Sequence, residues 1–241
     1  MCGRVSHIVR REMATPIHLN PATEVSERVL LPGDPQRALA VSQALLDSPR
    51  MMNARRGLWG YTGLAPDGAP VTVQSTGMGG PSAAIVVEEL IELGARTLIR
   101  IGTCGALVPE LSLGDLLAVE AAMSADGASQ ALGADGRVEP DVALTEALLG
   151  SARPATIVST DLFYDPREDV HGRWVEAGAQ AIEMEAAAVL SVAARRGVRA
   201  ACLLAVTDEL TGDRVRMDQE RIEEVGVELG RAALAALATT R

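Results

Sequence analysis

A charged residue at the end of an apolar segment lies close to a glycine-rich run in the middle of the chain. Thr97–Ile101 has the composition of a short buried strand, and Arg100 adds a permanent positive charge just before the run Gly102-Thr103-Cys104-Gly105. A buried arginine is costly unless an anion compensates its charge. The sequence leaves two anions open: a carboxylate from elsewhere in the chain, in a structural ion pair, or a bound phosphate.

A second possible anion site follows the first predicted strand. Arg28–Leu31 ends at Pro32-Gly33-Asp34-Pro35, and the residues from Gln36 to Leu46 have helical spacing. Backbone N–H groups at such a helix N-terminus attract anions. Arg37 lies in the first turn, where carboxylates are normally preferred. It indicates a bound anion there, or it is a solvated surface charge.

Carboxylates occur at two further positions of this kind. Glu183 and Glu185 flank Met184 at the entrance to a helix predicted from Ala181 to Arg195, where they either complement the helix dipole or bind a ligand. Asp208 follows a buried strand. The carboxyl ends of strands in open α/β sheets are where ligands collect, so a carboxylate there is a candidate acid or base.

The segment from Val71 to Leu107 must position Arg100. It is predicted as a strand (Val71–Thr76), a glycine turn (Gly77–Ser82), a helix (Ala83–Leu93) and the strand that contains Arg100, followed by a second glycine turn. A strand–helix–strand unit of this length requires a parallel pair of strands. The chain is therefore predicted to be an α/β protein.

Length and composition limit the possible functions. The 241 residues suit one large α/β domain, predicted over 15–241, after a disordered arm at 1–14, in which Met13 is a second possible start. The net charge of −10 argues against nucleic acid or an anionic membrane as the partner. All 22 basic residues are arginines, which excludes a Schiff-base lysine and a Walker A lysine.

Cysteine and histidine usage favours a reduced, metal-free protein. The three cysteines lie far apart without CxxC spacing, which predicts a cytoplasmic location. The three histidines lack ligand spacing, so we expect no metal site. Apolar runs stay under about ten residues, far short of the roughly twenty that a membrane helix needs, and we expect no membrane segment.

Several separated motifs, taken together, resemble those of one family. The chain resembles the bacterial nucleoside phosphorylases of the purine nucleoside and uridine phosphorylase superfamily, which form trimers or hexamers, from about Thr15 to Leu237. The motifs are His18-Leu19-Asn20, Pro32-Gly33-Asp34-Pro35-Gln36-Arg37-Ala38, Arg56-Gly57, Gly77-Met78-Gly79-Gly80-Pro81-Ser82, Arg100-Ile101-Gly102-Thr103-Cys104-Gly105, Glu183-Met184-Glu185-Ala186 and Thr207-Asp208.

The resemblance implies a single-domain three-layer α/β/α fold with a central mixed, mostly parallel sheet flanked by helices. It also implies reversible phosphorolysis of nucleosides, with inorganic phosphate as co-substrate and no cofactor. It implies a homo-oligomer, expected to be a hexamer built as a trimer of dimers, whose pockets are shared between subunits.

The resemblance further implies a role for each motif residue. The phosphate-binding residues would be Gly33, Arg37, Arg100, Thr103 and, from a neighbouring subunit, Arg56. The nucleoside-binding residues would be His18 from a neighbour, Met78, Gly105, Phe163, Ile182, Glu183, Met184 and Glu185. Glu185 would bind the ribose hydroxyls, and Phe163 would stack on the base. Asp208 would be the general acid toward purine N7, with Arg221 as its helper.

Departures from the family pattern favour a purine as the base. Uridine-cleaving members carry Gln-Glu-Arg-Tyr-Asp-Thr after the Phe-Tyr loop, where this chain has Asp165-Pro166-Arg167-Glu168, and they lack an acid at the position of Asp208. Thr103, by contrast, is the uridine-like choice. A uridine phosphorylase, a nucleosidase on the same fold and a non-catalytic nucleoside-binding protein remain as alternatives. The choice between 6-amino and 6-oxo purines, and between ribose and deoxyribose, stays open.

Overall fold

A mixed sheet with helices on both faces makes up the described part of the chain. The computed structural model describes residues 16–240. Its strands are β1 (Arg28–Pro32), β2 (Asp47–Asn53), β3 (Gly60–Leu64), β4 (Pro70–Gln74), β5 (Thr97–Ala106), β6 (Leu116–Ala125), β7 (Arg137–Val138), β8 (Arg153–Thr160), β9 (Ala181–Glu183), β10 (Arg199–Glu209) and β11 (Val215–Arg216). Its helices are α1 (Pro35–Leu45), α2 (Gly80–Glu92), α3 (Gly127–Ala131), α4 (Val142–Leu149), α5 (Val170–Glu176), α6 (Ala186–Arg196) and α7 (Gln219–Thr239).

The predicted strand–helix–strand unit is present, and its two strands run parallel. They are not neighbours, because β1 lies between β4 and β5 and is parallel to both. Strand β10 pairs on the other side of β5, so that Leu31, Arg100 and Cys202 lie at one level of three adjacent strands. Arg100 is thus held in the centre of the sheet.

The sheet also closes on itself. Strand β10 pairs with β5 on one side and with β6 on the other, and the pairs β6–β8, β8–β9 and β9–β5 complete a circuit of five strands. Strands β3 and β2 extend the sheet beyond β4 as antiparallel neighbours. The circuit brings the carboxyl ends of β5 and β10 together beside β9, which runs antiparallel to β5.

Two predicted elements are wrong in detail. Residues 102–105 are not a turn but the second half of β5. Their glycines serve close packing: a Cβ on Gly102 would lie 2.8 Å from Nη2 of Arg100, and one on Gly105 would lie 2.7 Å from Cδ1 of Leu210. Residues 181–183 form strand β9, and the helix predicted from Ala181 begins at Ala186.

The apolar core has two halves, one on each face of the sheet. Helices α2, α3 and α6 cover one face, and helices α1, α4 and α7 cover the other. The mixed α/β fold predicted from the sequence is therefore confirmed for the described residues. The predicted arm, residues 1–14, lies outside them. Within residues 16–240 no helix is both long enough and apolar enough to cross a membrane.

Two helices begin at the carboxyl end of the parallel strands. Asp34 caps α1 by accepting the N–H of Gln36 at 2.9 Å, and Pro35 is the first helical residue. Helix α2 begins after Gly79, whose φ of 87° favours glycine. The loops before the two helices are joined, because the N–H of Gly77 donates to the carbonyl of Gly33 at 3.0 Å.

Candidate active site

Arg100 binds two carboxylates and keeps one nitrogen without a partner. Its side chain is 3% exposed; Nε donates to Glu183 Oε2 at 2.9 Å, and Nη2 lies 2.8 Å from Glu183 Oε2 and 2.5 Å from Glu185 Oε2. Nη1 is buried and has no hydrogen-bond partner among the described residues. The structural ion pair left open by the sequence is therefore present. A buried donor without a partner is costly, so Nη1 also marks a place for an acceptor from a ligand.

Neighbouring carboxylates keep the side chain of Arg100 positively charged. Burial acts against the charged form, but the carboxylates of Glu185 and Glu183 outweigh it and raise the pKa of Arg100. The guanidinium is thus a permanent cation at the bottom of the site. Its fork is held in one orientation because two of its three nitrogens are bonded.

The carboxylate of Glu183 accepts several hydrogen bonds from groups within the protein. Its side chain is 1% exposed, and besides Arg100 it accepts the hydroxyl of Ser159 and the backbone N–H groups of Glu185 and Ala186. The Ser159 hydroxyl in turn accepts the N–H of Ala187 at 2.9 Å. The carboxylate therefore orients Arg100 and binds the orphan N–H groups at the start of α6. It lies behind the site, and Ser159, which the sequence did not single out, belongs to its support.

Glu185 faces the same space from the N-cap position of α6. One oxygen accepts from Arg100, and the other accepts the N–H of Gly79 at 2.5 Å. Burial raises the pKa of Glu185, while the positive charge of Arg100 opposes that shift. An ionised carboxylate has about four acceptor positions, of which these two bonds use two. Glu185 can therefore accept two further hydrogen bonds.

Arg37 approaches from the first turn of α1. Burial lowers the pKa of Arg37; the negative charge of Asp34 opposes that shift, the positive charge of Arg100 adds to it, and Glu185 opposes it. No hydrogen bond to its guanidinium is present within residues 16–240. Its stem packs on Gly226, where a Cβ would lie 3.1 to 3.2 Å from Cγ, Cδ and Nε of Arg37. Two guanidinium groups near one another favour an anion between them.

The remaining predicted phosphate-site residues lie on different elements. Gly33 lies in the loop before α1, and Thr103 lies half-buried on β5, three residues after Arg100. Arg56 lies in a 3-10 turn at Arg55–Gly57 with φ 60°, a conformation unusual for arginine. Its side chain is exposed and makes no hydrogen bond to a described residue.

Asp208 lies at the end of β10, with its side chain 13% exposed. The sequence analysis did not identify its partner. Arg214 donates to Asp208 Oδ1 through Nε at 2.9 Å and Nη2 at 2.6 Å, and its guanidinium lies 5.0 Å from the centre of the Phe163 ring. Asp208 and Phe163 are thus brought to one place, with Arg214 between them.

Arg221 is not hydrogen-bonded to Asp208. Its Nη1 lies 2.9 Å from Glu224 and 2.9 Å from Glu228, all on α7. In this conformation Arg221 pairs with its own helix, and its role as the helper of Asp208 stays a prediction. The sequence could have signalled the alternative, because Glu224 and Glu228 lie three and seven residues after Arg221 on one helix face.

The other predicted nucleoside-binding residues differ in exposure and in their neighbours. Met78 and Phe163 are exposed, Met184 is half-buried, and Gly105 pairs with both Ile182 and Asp208 across neighbouring strands.

His18 lies apart, where its Nδ1 is 2.7 Å from Oε1 of Glu89. The structure therefore groups Asp208, Phe163, Gly105 and Ile182 but gives His18 a different neighbour.

No metal-binding cluster of three or more histidine, cysteine, aspartate or glutamate side chains occurs within residues 16–240. The polar groups that the site presents are arginine side chains, carboxylates and backbone N–H groups. It offers a cationic pocket for an oxyanion beside a carboxylate that accepts hydroxyls. A second carboxylate and an aromatic ring lie at its outer side.

Comparison with known proteins shows the family of the chain. The model of the phosphorylase superfamily matches residues 27–240, and the chain belongs to that superfamily. Two curated relatives are purine nucleoside phosphorylases of the DeoD type. The one from Jannaschia sp. is 36% identical over 216 residues, covering 85% of this chain and 92% of the relative. The one from Alkaliphilus metalliredigens is 38% identical over 219 residues, with the same coverage.

A solved structure supports the same fold. The uridine phosphorylase from Vibrio fischeri superposes with a TM-score of 0.80 at 26% identity, covering 90% of this chain and 93% of that one. The resemblance inferred from the motifs is therefore confirmed at the level of the superfamily.

Proposed function

We propose that the protein catalyses the reversible phosphorolysis of purine nucleosides, giving the free base and a pentose 1-phosphate. The observation that carries the proposal is Nη1 of Arg100, which has no hydrogen-bond partner within residues 16–240, together with the nearby charge of Arg37. This pair can hold a dianion, because guanidinium forks match the oxygens of phosphate. Gly33 and Thr103 complete the phosphate site, and Arg56 reaches it from a neighbouring subunit.

Glu185 binds the ribose next to the phosphate. Its two remaining acceptor positions suit the 2′- and 3′-hydroxyls, and Met184 lies against the sugar. Cleavage of a glycosidic bond passes through an oxocarbenium-like state. The positive sugar that develops is attracted to the phosphate held by the arginines, so the site stabilises the transition state electrostatically.

Asp208 acts on the departing base. A purine leaves more readily when N7 gains a proton, and a positioned acid of this kind contributes about 10²–10⁴-fold. The protonated carboxyl donates to N7 while Phe163 stacks on the ring. Arg221 leaves its glutamates late in the reaction and stabilises the carboxylate as the proton departs.

A purine substrate is supported over uridine by two observations. Asp208 lies at the base side, where uridine-cleaving members lack an acid. The relatives that are 36% and 38% identical carry the name purine nucleoside phosphorylase, whereas the uridine phosphorylase structure is 26% identical. A nucleosidase is the second candidate, but Arg37 and Arg100 argue against it because hydrolysis needs no phosphate site.

We further propose a homohexamer with shared pockets. The exposed Arg56, held at φ 60°, is a cation displayed on the surface at the cost of backbone strain. A cytoplasmic location is supported by the free thiols of Cys104 and Cys202.

The test is a phosphate-dependent assay with adenosine, inosine, guanosine and uridine. We expect cleavage of at least one purine nucleoside that requires phosphate and yields pentose 1-phosphate. Equal cleavage without phosphate would favour the nucleosidase, and binding without turnover would favour a non-catalytic nucleoside-binding or storage protein. A preference for uridine would move the protein to the uridine phosphorylases.

A further inference from the structure

Arg214 contacts two side chains that the proposed function assigns to the base. Its Nε and Nη2 donate to Oδ1 of Asp208 at 2.9 Å and 2.6 Å, and its guanidinium carbon lies 5.0 Å from the centre of the Phe163 ring. The side chain of Arg214 is 42% exposed, so a ligand that enters the site can reach it. Arg214 thus borders the space between the acid and the ring on which the base is proposed to stack.

The hairpin of β10 and β11 keeps Arg214 in this place. Arg214 directly precedes β11, which pairs antiparallel with the end of β10, so that Arg216 lies opposite Asp208. The N–H of Met217 then donates to the carbonyl of Thr207 at 2.9 Å. Because the backbone that follows Arg214 is bonded to the strand that carries Asp208, the guanidinium can move away from the acid only by the reach of its own side chain.

One nitrogen of Arg214 remains for a ligand. Nε and Nη2 both bond to Oδ1 of Asp208, whereas Nη1 makes no hydrogen bond to a residue that the structure describes. A guanidinium group only donates hydrogen bonds and cannot accept them. Oδ2 of Asp208 has no arginine contact within residues 16–240 and accepts the hydroxyl of Thr207 at 3.1 Å. The pair therefore presents a carboxyl oxygen and an obligatory donor side by side.

The edge of a purine that carries N7 also carries the substituent at position 6. In a 6-oxopurine both N7 and O6 are acceptors, whereas in a 6-aminopurine the amino group next to N7 is a donor. A base whose N7 faces Asp208 turns its 6-substituent towards the neighbouring guanidinium. Arg214 can donate to O6, but it faces a 6-amino group as donor against donor.

We propose that Arg214 is a specificity-determining residue, which donates from Nη1 to O6 of the base and selects 6-oxopurine nucleosides over 6-aminopurine nucleosides. The inference rests on the proposed function and adds the class of purine to it. Asp208 alone does not separate the two classes, because N7 is an acceptor in both. Arg214 does separate them, because a site built to pair one substrate group rejects the analogue that leaves its own polar group unpaired.

The kinetic test compares inosine, a 6-oxopurine nucleoside, with adenosine, a 6-aminopurine nucleoside, at saturating phosphate. In the parent we expect kcat/KM for inosine to exceed that for adenosine at least about tenfold. Arg214→Gln should reduce this ratio at least about tenfold, because the amide of glutamine also accepts a hydrogen bond and suits a 6-aminopurine. Arg214→Lys keeps a charged donor that cannot accept, so it should preserve the preference for inosine.

Arg216→Gln is the matched control. Arg216 lies two residues further along the same hairpin, is exposed, and its side chain makes no hydrogen bond or ion pair with a described residue. The substitution removes the same charge from the hairpin and should retain the parent's ratio. An equal loss on inosine and adenosine in Arg214→Gln would make Arg214 a helper of Asp208 and overturn the selection, as would a parent that prefers adenosine.

Binding of the free bases keeps the inference testable without turnover. Titration calorimetry should show that the parent binds hypoxanthine, a 6-oxopurine, more tightly than adenine, and that Arg214→Gln loses this preference. Equal affinity of the parent for the two bases would refute the inference even if phosphorolysis occurs. Conversely, a preference for hypoxanthine that depends on Arg214, without any phosphorolysis, would remove the proposed function and leave the selection of the base.

Discussion

Nη2 of Arg100 donates to Oε2 of Glu185 at 2.5 Å, so the residue assigned to phosphate and the residue assigned to ribose form one hydrogen-bonded unit. The two side chains come from β5 and from the start of α6, 85 residues apart in the chain. Because the carboxylate holds the guanidinium, a shift of either side chain changes both subsites. Binding of phosphate and orientation of the sugar are therefore expected to be coupled.

Replacing Arg100 by lysine should weaken phosphate binding while the protein still folds. Lysine keeps the charge that Glu183 and Glu185 require, whereas loss of the charge would leave two buried carboxylates without a cation, at about 3–5 kcal/mol. It cannot reproduce the fork. We expect the KM for phosphate to rise at least about tenfold. Arg196→Lys, at an exposed ion pair, is the control, and an unchanged KM in Arg100→Lys would make Arg100 purely structural.

Replacing Asp208 by asparagine should remove the acid at the base. We expect kcat for purine nucleosides to fall at least about tenfold, with the phosphate KM unchanged, because the amide has a similar shape but cannot transfer a proton. Steady-state kinetics at varied phosphate separate the two effects. Glu209→Gln, at the next residue, should keep the parent's kcat. Parental turnover in Asp208→Asn would exclude Asp208 from the mechanism.

The role of Arg221 depends on its leaving Glu224 and Glu228. These pairs are exposed and screened by solvent, so their loss is a small barrier. We expect Arg221→Ala to lower kcat about tenfold in the parent and to cause no further loss in Asp208→Asn, since the arginine acts only through that carboxylate.

Arg214→Ala is the matched comparison, because Arg214 is the arginine that contacts Asp208 in the structure. A larger loss of kcat in Arg214→Ala than in Arg221→Ala would transfer the role to Arg214.

Gly226→Ala should weaken phosphate binding without lowering the stability of the folded protein. Alanine favours a helix by about 1 kcal/mol over glycine. Its Cβ would, however, lie 3.1 to 3.2 Å from the stem of Arg37 and displace the guanidinium. We expect a raised phosphate KM in a protein that is not destabilised. Gly230→Ala is the control: its Cβ would meet Val41 and Leu45, so it should lower the melting temperature and leave the phosphate KM unchanged.

Asp141 predicts a pH-dependent contribution to stability. It caps α4 and accepts both Nε and Nη2 of Arg199. This pairing lowers the pKa of Asp141. Because the pKa is lower in the folded state, the stabilisation is complete above the ordinary value of about 4 and is lost as the pH falls through the lowered value.

Asp141→Asn, which keeps a capping side chain, should therefore lower the melting temperature by a few degrees at pH 7 and by less at an acid pH below the ordinary pKa of about 4. Thermal unfolding at both pH values is the measurement. Asp115→Asn, at the more exposed pair with Arg153, should have a smaller effect. An equal difference at both pH values would attribute the change to packing.

Local signals in the sequence predicted much of the fold. Helical spacing after Pro35 predicted α1, helical spacing after the first glycine turn predicted α2, and the crossover predicted parallel strands. Glycine was ambiguous, since the same residue type serves turns and close packing. For this reason the glycines of residues 102–105 predict a turn, whereas the structure has the second half of β5 there.

The site residues were predicted as types and positions but not as partners. The motifs indicated Arg100, Glu185 and Asp208 as functional. The support of Arg100 by Ser159 through Glu183, and the contact of Arg214 with Asp208, have no counterpart in local patterns.

By itself, the sequence determined the α/β class, the membership in a superfamily and a chemistry of arginine and carboxylate without lysine, because periodicity, motifs and composition are properties of short segments. Only the tertiary structure decided which charges meet: closure of β5, β10, β6, β8 and β9 into a circuit brings together residues up to about a hundred positions apart. Hydrogen-bonding geometry then selects one partner among several of the same charge, and that selection depends on distances that no short segment contains.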